Sequence, residues 1–74
     1  MNKERREKIS NIAKELQYVI DNLSNILSDE EYAFENMPEN LQGSIRGEES
    51  EEAIDIISEA IDSLQSARDN LEEI

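Results

Sequence analysis

Residues 9–26 read ISNIAKELQYVIDNLSNI, and this stretch decides the fold. Its aliphatic side chains recur at alternating steps of three and four, at Ile9, Ile12, Leu16, Val19, Leu23 and Ile26. That spacing brings them to one face of an α-helix. A second run of the same kind comprises Ile54, Ile57, Ile61 and Leu64. Because a segment containing Pro38, Gly43 and Gly47 separates the two runs, the sequence predicts an all-α, antiparallel helical hairpin.

The first helix is predicted over residues 3–35 and carries apolar side chains in three heptad rows. Row a holds Ile9, Leu16 and Leu23, row d holds Ile12, Val19, Ile26 and Ala33, and row e holds Ala13, Ile20, Leu27 and Phe34. Rows a and d are predicted to form the helix contact. Three rows make a wider apolar face than a two-stranded coiled coil needs. We therefore expect hairpins to associate into a four-helix bundle, as a homodimer or a higher homo-oligomer.

The connection is predicted over residues 36–47. Pro38 disfavours helical backbone at Met37 and so ends the first helix there. A short helical turn is predicted from Pro38 to Gln42, with Gly43 as a left-handed stop. Ser44 or Gly47 is the expected N-cap of the second helix. Three apolar residues at steps of four are predicted to close the core at this end: Met37, Leu41 and Ile45.

The second helix is predicted over residues 48–73, completing one domain of 74 residues. Its contact row continues to Leu71 and is interrupted by Arg68, just as Glu30 interrupts row a of the first helix. Glu30 and Arg68 lie near opposite ends of a hairpin, so each is predicted to reach a partner subunit or solvent. Ile56 lies off the contact row and is the best candidate for a second contact surface. Small residues flank the row at Ala53, Ala60 and Ala67, followed by Ile74.

Composition excludes several classes of protein. The chain has no cysteine and no histidine, which argues against disulfides and transition-metal sites, and no cofactor is expected. The serines have no base near them except carboxylates, and a narrow bundle offers no cleft, so we expect no enzymatic activity. No apolar stretch approaches the ~20 residues of a membrane span. The basic N-terminus precedes an amphipathic pattern and not a solid apolar block, so the expected location is the cytoplasm.

The net charge of −12 is unevenly placed. Residues 1–20 carry a balance of +2, whereas residues 21–74 carry −14. A field this negative disfavours nucleic acid and anionic membrane as direct partners and favours a basic protein surface. Folding back is predicted to bring the basic N-terminus near the last acidic residues of the chain. The predicted partner-binding residues are Glu31, Tyr32, Glu35, Glu48, Glu49 and Glu52, with Phe34, Met37 and Arg46 as nearby anchors. The simpler interpretation is a solvated acidic face.

The loop offers an alternative function. Arg46 is the only basic residue between Lys14 and Arg68, and it stands in a Gly-Ser-Ile-Arg-Gly stretch at a helix N-terminus. An anion, such as a nucleotide-like signal molecule held by an oligomeric sponge, is a candidate ligand there. The residues predicted to bind it are Asn40, Gln42, Ser44 and Arg46. The competing interpretation is an ion pair from Arg46 to Glu35, Glu48 or Glu49 that closes the loop.

The segment from Glu35 to Glu48 carries a distinctive string, Asn-x-Pro-Glu-x-Leu-Gln-x-Ser-x-Arg-Gly, built from Asn36, Pro38, Glu39, Leu41, Gln42, Ser44, Arg46 and Gly47. With the Ala- and Asp-containing second helix, this chain resembles a group of small acidic proteins encoded by phages and prophages of Gram-positive bacteria. The resemblance extends along most of the chain and implies a setting in the bacterial host cytosol, without a mechanism. By analogy, we expect a non-enzymatic accessory protein that binds and inhibits a host or defence protein. A purely structural oligomerisation module is the third alternative.

Overall fold

The computed structural model describes all 74 residues as helices joined by short connections, with no strand. Helix α1 spans Lys3–Glu35, α2 spans Glu39–Gln42 and α3 spans Ile45–Glu72. Helix α3 folds back along α1, which confirms the all-α hairpin, and the molecule is a rod of 58 × 14 × 13 Å. No helix combines the length and the apolar character that crossing a membrane requires.

Side-chain caps set both ends of α1. The Asn2 side chain accepts a hydrogen bond of 2.8 Å from the Arg5 amide, which satisfies one of the free N–H groups of the first turn. At the other end, the Asn36 side-chain amide donates to the Tyr32 carbonyl at 2.8 Å. Pro38 then prevents the helix from continuing. The bounds of α1 therefore agree with those predicted from the sequence.

The short turn after Pro38 forms as predicted, but Gly43 behaves differently. Gly43 has φ −86° and ψ 1°, so the predicted left-handed conformation is wrong. A left-handed stop is unnecessary because the single-turn α2 leads directly into the cap of α3. The Ser44 amide donates to the Leu41 carbonyl at 3.1 Å and completes this turn.

Helix α3 begins at Ile45, three residues before the predicted start at 48, because Ser44 is its N-cap. The Ser44 hydroxyl oxygen accepts from the Gly47 amide at 3.4 Å, and the Ser44 carbonyl accepts from the Glu48 amide at 2.9 Å. The helix ends at Glu72, one residue before the predicted end. The early start places Ile45 on the side of α3 that faces away from α1, where it is 76% exposed. Ile45 therefore does not close the core, and neither does Leu41, which is 46% exposed; of the three residues predicted to do so, only Met37 is half-buried.

Gly47 allows the loop to lie close against α3. A Cβ atom at this position would overlap the Gln42 carbonyl group and lie 2.7 Å from the Leu41 carbonyl oxygen. These neighbours are backbone atoms that a side chain cannot displace without moving α2. Gly47 is accordingly buried, and its role is a close approach and not an unusual φ.

The contact between α1 and α3 uses a different pair of rows on α1 from the predicted pair. Rows a and e are buried or half-buried, with Ala13 and Ile20 at the centre, whereas row d remains open. Ile12, Val19 and Ile26 of row d are 47%, 43% and 53% exposed. Near the loop row e carries Phe34 where row d carries Ala33, so packing through row e buries the larger side chain there. The predicted a/d contact of α1 is therefore wrong in its second row.

Helix α3 contributes the predicted contact row. Ile54, Ile57, Leu64 and Leu71 are half-buried and Ile61 is buried, and the same spacing extends back to Ser50 and Gly47 near the loop. We refer to rows a and e of α1 together with this row of α3 as the seam. Its buried apolar residues are Ala13, Ile20 and Ile61. A seam between two helices alone is thus narrow.

Candidate functional site

One flank of the seam is apolar and uncovered. On α1 it carries row d, and on α3 it carries the row that contains Ala53, Ala60 and Ala67. Helix periodicity puts both rows on the same side of an antiparallel pair. A surface groove near the loop supports this placement, because it is lined both by Ala33 of row d and by Arg46, seven residues before Ala53. We call this flank the open face; it comprises Ile12, Val19, Ile26, Ala33, Ala53, Ala60, Ala67 and Ile74.

The opposite flank of the seam is polar. Gln17 and Ser24 of α1, and Ser58 and Gln65 of α3, are half-buried along it. The Arg68 guanidinium crosses this flank and donates a short hydrogen bond to the Gln17 side-chain oxygen. Polar groups of this kind are satisfied by water or by one another. The two flanks therefore differ in kind, and only the open face presents a continuous apolar surface.

Arg68 reaches across its own hairpin to Gln17, a contact that the prediction of a partner subunit or solvent did not include. Besides its bond to Gln17, it donates to the Asp69 carboxylate at 2.8 Å and lies 4.0 Å from the Glu72 carboxylate. The hydrogen bond to Asp69 raises the pKa of the Arg68 guanidinium above its ordinary value, and burial partly opposes it. Arg68 thus remains charged while its stem fills the seam.

Glu30 is likewise satisfied within the chain. Its carboxylate accepts a hydrogen bond of 2.7 Å from the Ser50 hydroxyl on α3, and Ser50 is buried. The prediction named a partner subunit or solvent for Glu30 and did not include this contact with Ser50. The pair places a polar contact in the seam near the loop, where the apolar rows have no aliphatic residue. It can fix the register of α3 along α1, since shifting α3 would bury the carboxylate without its donor.

The strongest concentration of charge lies at the loop end. Residues 29–52 contain nine carboxylates and one arginine, a net charge of −8. A groove of about 590 Å³ opens there. Apolar and charged side chains line it together: Glu30, Ala33, Met37, Pro38, Leu41, Arg46, Glu49 and Ser50. We call this region the acidic loop end.

The structure divides the predicted partner-binding residues among separate surfaces. Glu49 lines the groove of the acidic loop end, whereas Glu31 and Glu35 line a second groove together with Glu51. Tyr32 is exposed on the side of α1 away from α3, with Tyr18 in the same heptad row. The remaining two, Glu48 and Glu52, are exposed and line neither groove. Glu30 and Glu51, which belong to the same acidic cluster in the sequence, line the first and the second groove respectively.

The predicted ligand-binding residues of the loop are mostly engaged in holding the loop. The Gln42 side-chain amide donates to the carbonyls of Phe34 and Met37, both at 3.2 Å, and so caps the end of α1. Ser44 caps α3 and its hydroxyl donates to the Leu41 carbonyl. The spacing of Ser44 before Gly47 is the sequence signal for that capping role.

Arg46 and Asn40, the other two predicted ligand-binding residues, are exposed. Arg46 shares its groove with Glu49, yet it forms no ion pair within 4.0 Å; the chain's ion pairs join Lys8 to Glu4 and Arg68 to Asp69 and Glu72. The alternative in which Arg46 closes the loop by pairing with Glu35, Glu48 or Glu49 is therefore not what the structure shows. Its guanidinium is available to an anionic group.

The end of the hairpin that carries the termini is mixed in charge. Arg6 and Lys14 of α1 line a groove there with Glu72 of α3, over the apolar side chains of Ile9 and Leu71. The predicted proximity of basic and acidic residues is present, but no ion pair joins α1 to α3 within 4.0 Å. Exposed charges at such distances contribute little to stability.

The site residues offer hydrogen-bonding and charged groups suited to recognition. No group of three or more carboxylates converges as metal ligands. Every buried polar side-chain atom has a hydrogen-bond partner, so no unpaired buried group marks a ligand site. Comparison of the chain with known protein families, with curated proteins and with solved structures finds no match.

Proposed function

We propose that this chain is a non-enzymatic protein-binding module that associates with itself through the open face and binds a basic protein surface through the acidic loop end. The observation that carries the proposal is the exposure of row d. Ile12, Val19 and Ile26 are 43–53% exposed, although they match the buried residues of the seam in size and chemistry. A helical hairpin of this kind leaves an apolar stripe in water along its whole length.

Self-association is favourable because the stripe is long and the chain is small. Fully burying one such side chain stabilises by ~1.5–3 kcal/mol relative to exposure. Each copy has three of these side chains about half exposed, so covering them on both copies contributes several kcal/mol. A two-helix chain needs such a contribution, since single cores below ~70–80 residues rarely provide more than ~3–5 kcal/mol. Two hairpins joined at their open faces form a four-helix bundle.

The acidic loop end is proposed to recognise a basic surface. Its net charge of −8 accompanies exposed apolar side chains, Leu41 and Ile45, that add contact area. Electrostatic complementarity speeds association and selects the partner, while buried apolar residues provide affinity. Such binding weakens as salt rises, because the Debye length falls from ~10 Å at 0.1 M to ~3 Å at 1 M.

The biological setting we propose is a phage or prophage accessory protein in the bacterial cytoplasm that inhibits a host or defence protein. This part of the proposal is supported only by the resemblance of the Asn36–Gly47 string. A sponge for a nucleotide-like molecule is the less favoured function, since Gln42 and Ser44 already hold the loop. A purely structural oligomerisation module would need neither Arg46 nor the acidic loop end.

A variant with three fewer charges at the acidic loop end, together with a matched control, tests partner binding. In the test variant, Glu48, Glu49 and Glu52 are each replaced by glutamine; in the control, Asp69→Asn, Glu72→Gln and Glu73→Gln remove the same charge from the other end. Each protein is immobilised and exposed to a bacterial lysate at low and high salt. We expect a basic protein that the wild type and the control retain, that the test variant loses, and that high salt releases.

The retained protein is then identified by mass and its binding repeated with the purified pair. Equal retention by the test and control variants, or binding unaffected by salt, contradicts a role for the acidic loop end. Calorimetric heat from a cyclic nucleotide that disappears in Arg46→Ala would instead support the sponge.

A further inference from the structure

We propose that the second copy covering the open face lies antiparallel to the first, so that α1 packs on α1 and the two acidic loop ends point in opposite directions. This inference rests on the proposed self-association and adds its orientation. The orientation determines which surfaces the assembled protein presents and where its partner-binding ends lie.

Two arrangements join two open faces by a two-fold axis. With the axis along the helices, α1 of each copy lies over α3 of the other, and both loop ends meet at the same end of the bundle. With the axis across the helices, α1 lies over α1 and α3 over α3, and the loop ends lie at opposite ends. Both arrangements cover the same rows, so apolar burial alone does not choose between them.

The charge along α1 favours the second arrangement. Residues 3–14 carry five basic and two acidic side chains, a balance of +3, whereas residues 21–35 carry five acidic side chains and no basic one. Antiparallel packing of α1 on α1 places each positive half beside a negative half, and symmetry does so twice. Charges that come within the Debye length of ~8 Å at physiological salt still attract each other, so the charged side chains nearest the open face contribute most to this preference.

The first arrangement brings like charges together instead. It places residues 21–35 of one copy, with charge −5, beside residues 45–59 of the other, which also carry −5. It also gathers two loop ends of charge −8 at one tip. Antiparallel packing does set α3 on α3, with residues 45–59 at −5 beside residues 60–73 at −3, and this repulsion is about equal to the attraction between the α1 helices, so the antiparallel arrangement is close to neutral. The first arrangement keeps a net repulsion, because the attraction between residues 3–14, at +3, and residues 60–73 of the other copy, at −3, is smaller than the repulsion near the loop.

The register of the apolar rows fits the antiparallel arrangement. An axis between Val19 and Ile26 places these two residues opposite each other and sets Ile12 opposite the small Ala33 of the second copy. The Glu30–Ser50 hydrogen bond fixes which part of α3 lies at the same level as that axis. At that level the axis passes between Ala53 and Ala60 of α3. Alanines of the two copies therefore face each other, and the backbones of the two α3 helices can approach closely.

A distance measurement between loop ends tests the orientation. The chain has no cysteine, and a Cβ at Gly43 meets nothing within 4 Å, so Gly43→Cys is a mild site for a spin label. Pulsed electron–electron resonance on the full-length protein is expected to give a separation approaching the 58 Å length of the rod. In the other arrangement the labels lie below about 30 Å apart, because packed helices are ~8–10 Å apart.

Two further measurements separate the possible failures. Asn40→Cys, at an exposed loop position, repeats the distance should labelling of Gly43→Cys disturb folding. Solution mass reports association directly, with a dimer at twice the 8.5 kDa of one chain. A dimer with a short label distance overturns the antiparallel orientation alone. A folded monomer without dipolar coupling at high concentration overturns the proposed self-association itself.

Discussion

Ile20 and Ile26 are the same residue type on the same helix, yet Ile20 is 2% exposed and Ile26 is 53% exposed. The seam and the open face are built from the same aliphatic side chains and differ only in which side of row a the second helix occupies. Within one chain, burial is thus decided by where α3 lies and not by local sequence. The open face thus carries the same aliphatic residue types as the seam, with no helix of this chain packed on it.

The largest effect on folding is expected from Ile20→Ala, at the centre of the seam. Large-to-small substitution at a fully buried site costs ~2–5 kcal/mol of unfolding free energy, because the cavity is only partly filled by relaxation. Urea unfolding followed by circular dichroism measures this loss, and it should appear at every protein concentration. A cost below ~1 kcal/mol would show that the seam is not the main core.

A smaller loss of unfolding free energy is expected from Gly47→Ala, because the added methyl group would force the loop away from α3. Overpacking of this kind typically costs ~1–3 kcal/mol. Gly43→Ala is the matched control, since its added methyl group meets open space and its φ suits alanine. Thermal unfolding of the two variants should differ by several degrees, with Gly43→Ala close to the wild type. Equal melting temperatures would show that the close approach of the loop to Gly47 does not contribute to stability.

The polar contact of the seam is tested by Ser50→Ala. Removing the hydroxyl leaves the Glu30 carboxylate without its donor, and the expected loss is ~1 kcal/mol. Ser58→Ala on the polar flank serves as control, because the Ser58 hydroxyl makes no hydrogen bond to another protein group. Both variants remove a serine hydroxyl from the same helix, so a common helix-propensity effect cancels. An identical loss in both would show that the Glu30–Ser50 bond adds nothing.

A substitution in the open face is expected to leave the stability of the dilute protein almost unchanged and to prevent self-association of the concentrated protein. Ile26→Gln keeps a good helix former and should change the unfolding free energy of a monomer by less than ~0.5 kcal/mol. At high concentration it should abolish the dimer, since a polar side chain then faces the second copy. Tyr18→Gln, exposed on the side away from α3, is the control and should keep the wild-type mass by light scattering.

Periodicity was enough to predict both long helices, the position of the connection and the seam row of α3. It did not decide between rows d and e of α1, because both are apolar and the clearest difference in side-chain volume between them is Phe34 against Ala33. The Glu30–Ser50 and Gln17–Arg68 contacts were missed since each joins residues far apart in sequence. The capping role of Ser44 was one of two alternatives, and Gln42 was assigned to a ligand because a side chain that reaches back to α1 leaves no local pattern.

The slender shape of the molecule has its own consequence. In the antiparallel pairing proposed above, a rod of 58 Å with its acidic loop end at one tip becomes a spacer with an acidic tip at each extremity. Two target molecules, or two sites on a symmetric target, can then be engaged at once. Since the second engagement is intramolecular, avidity of this kind can exceed the single-site affinity by ~10²–10⁴ when the spacing matches. Changing the number of heptads between tip and axis would retune which targets are bridged.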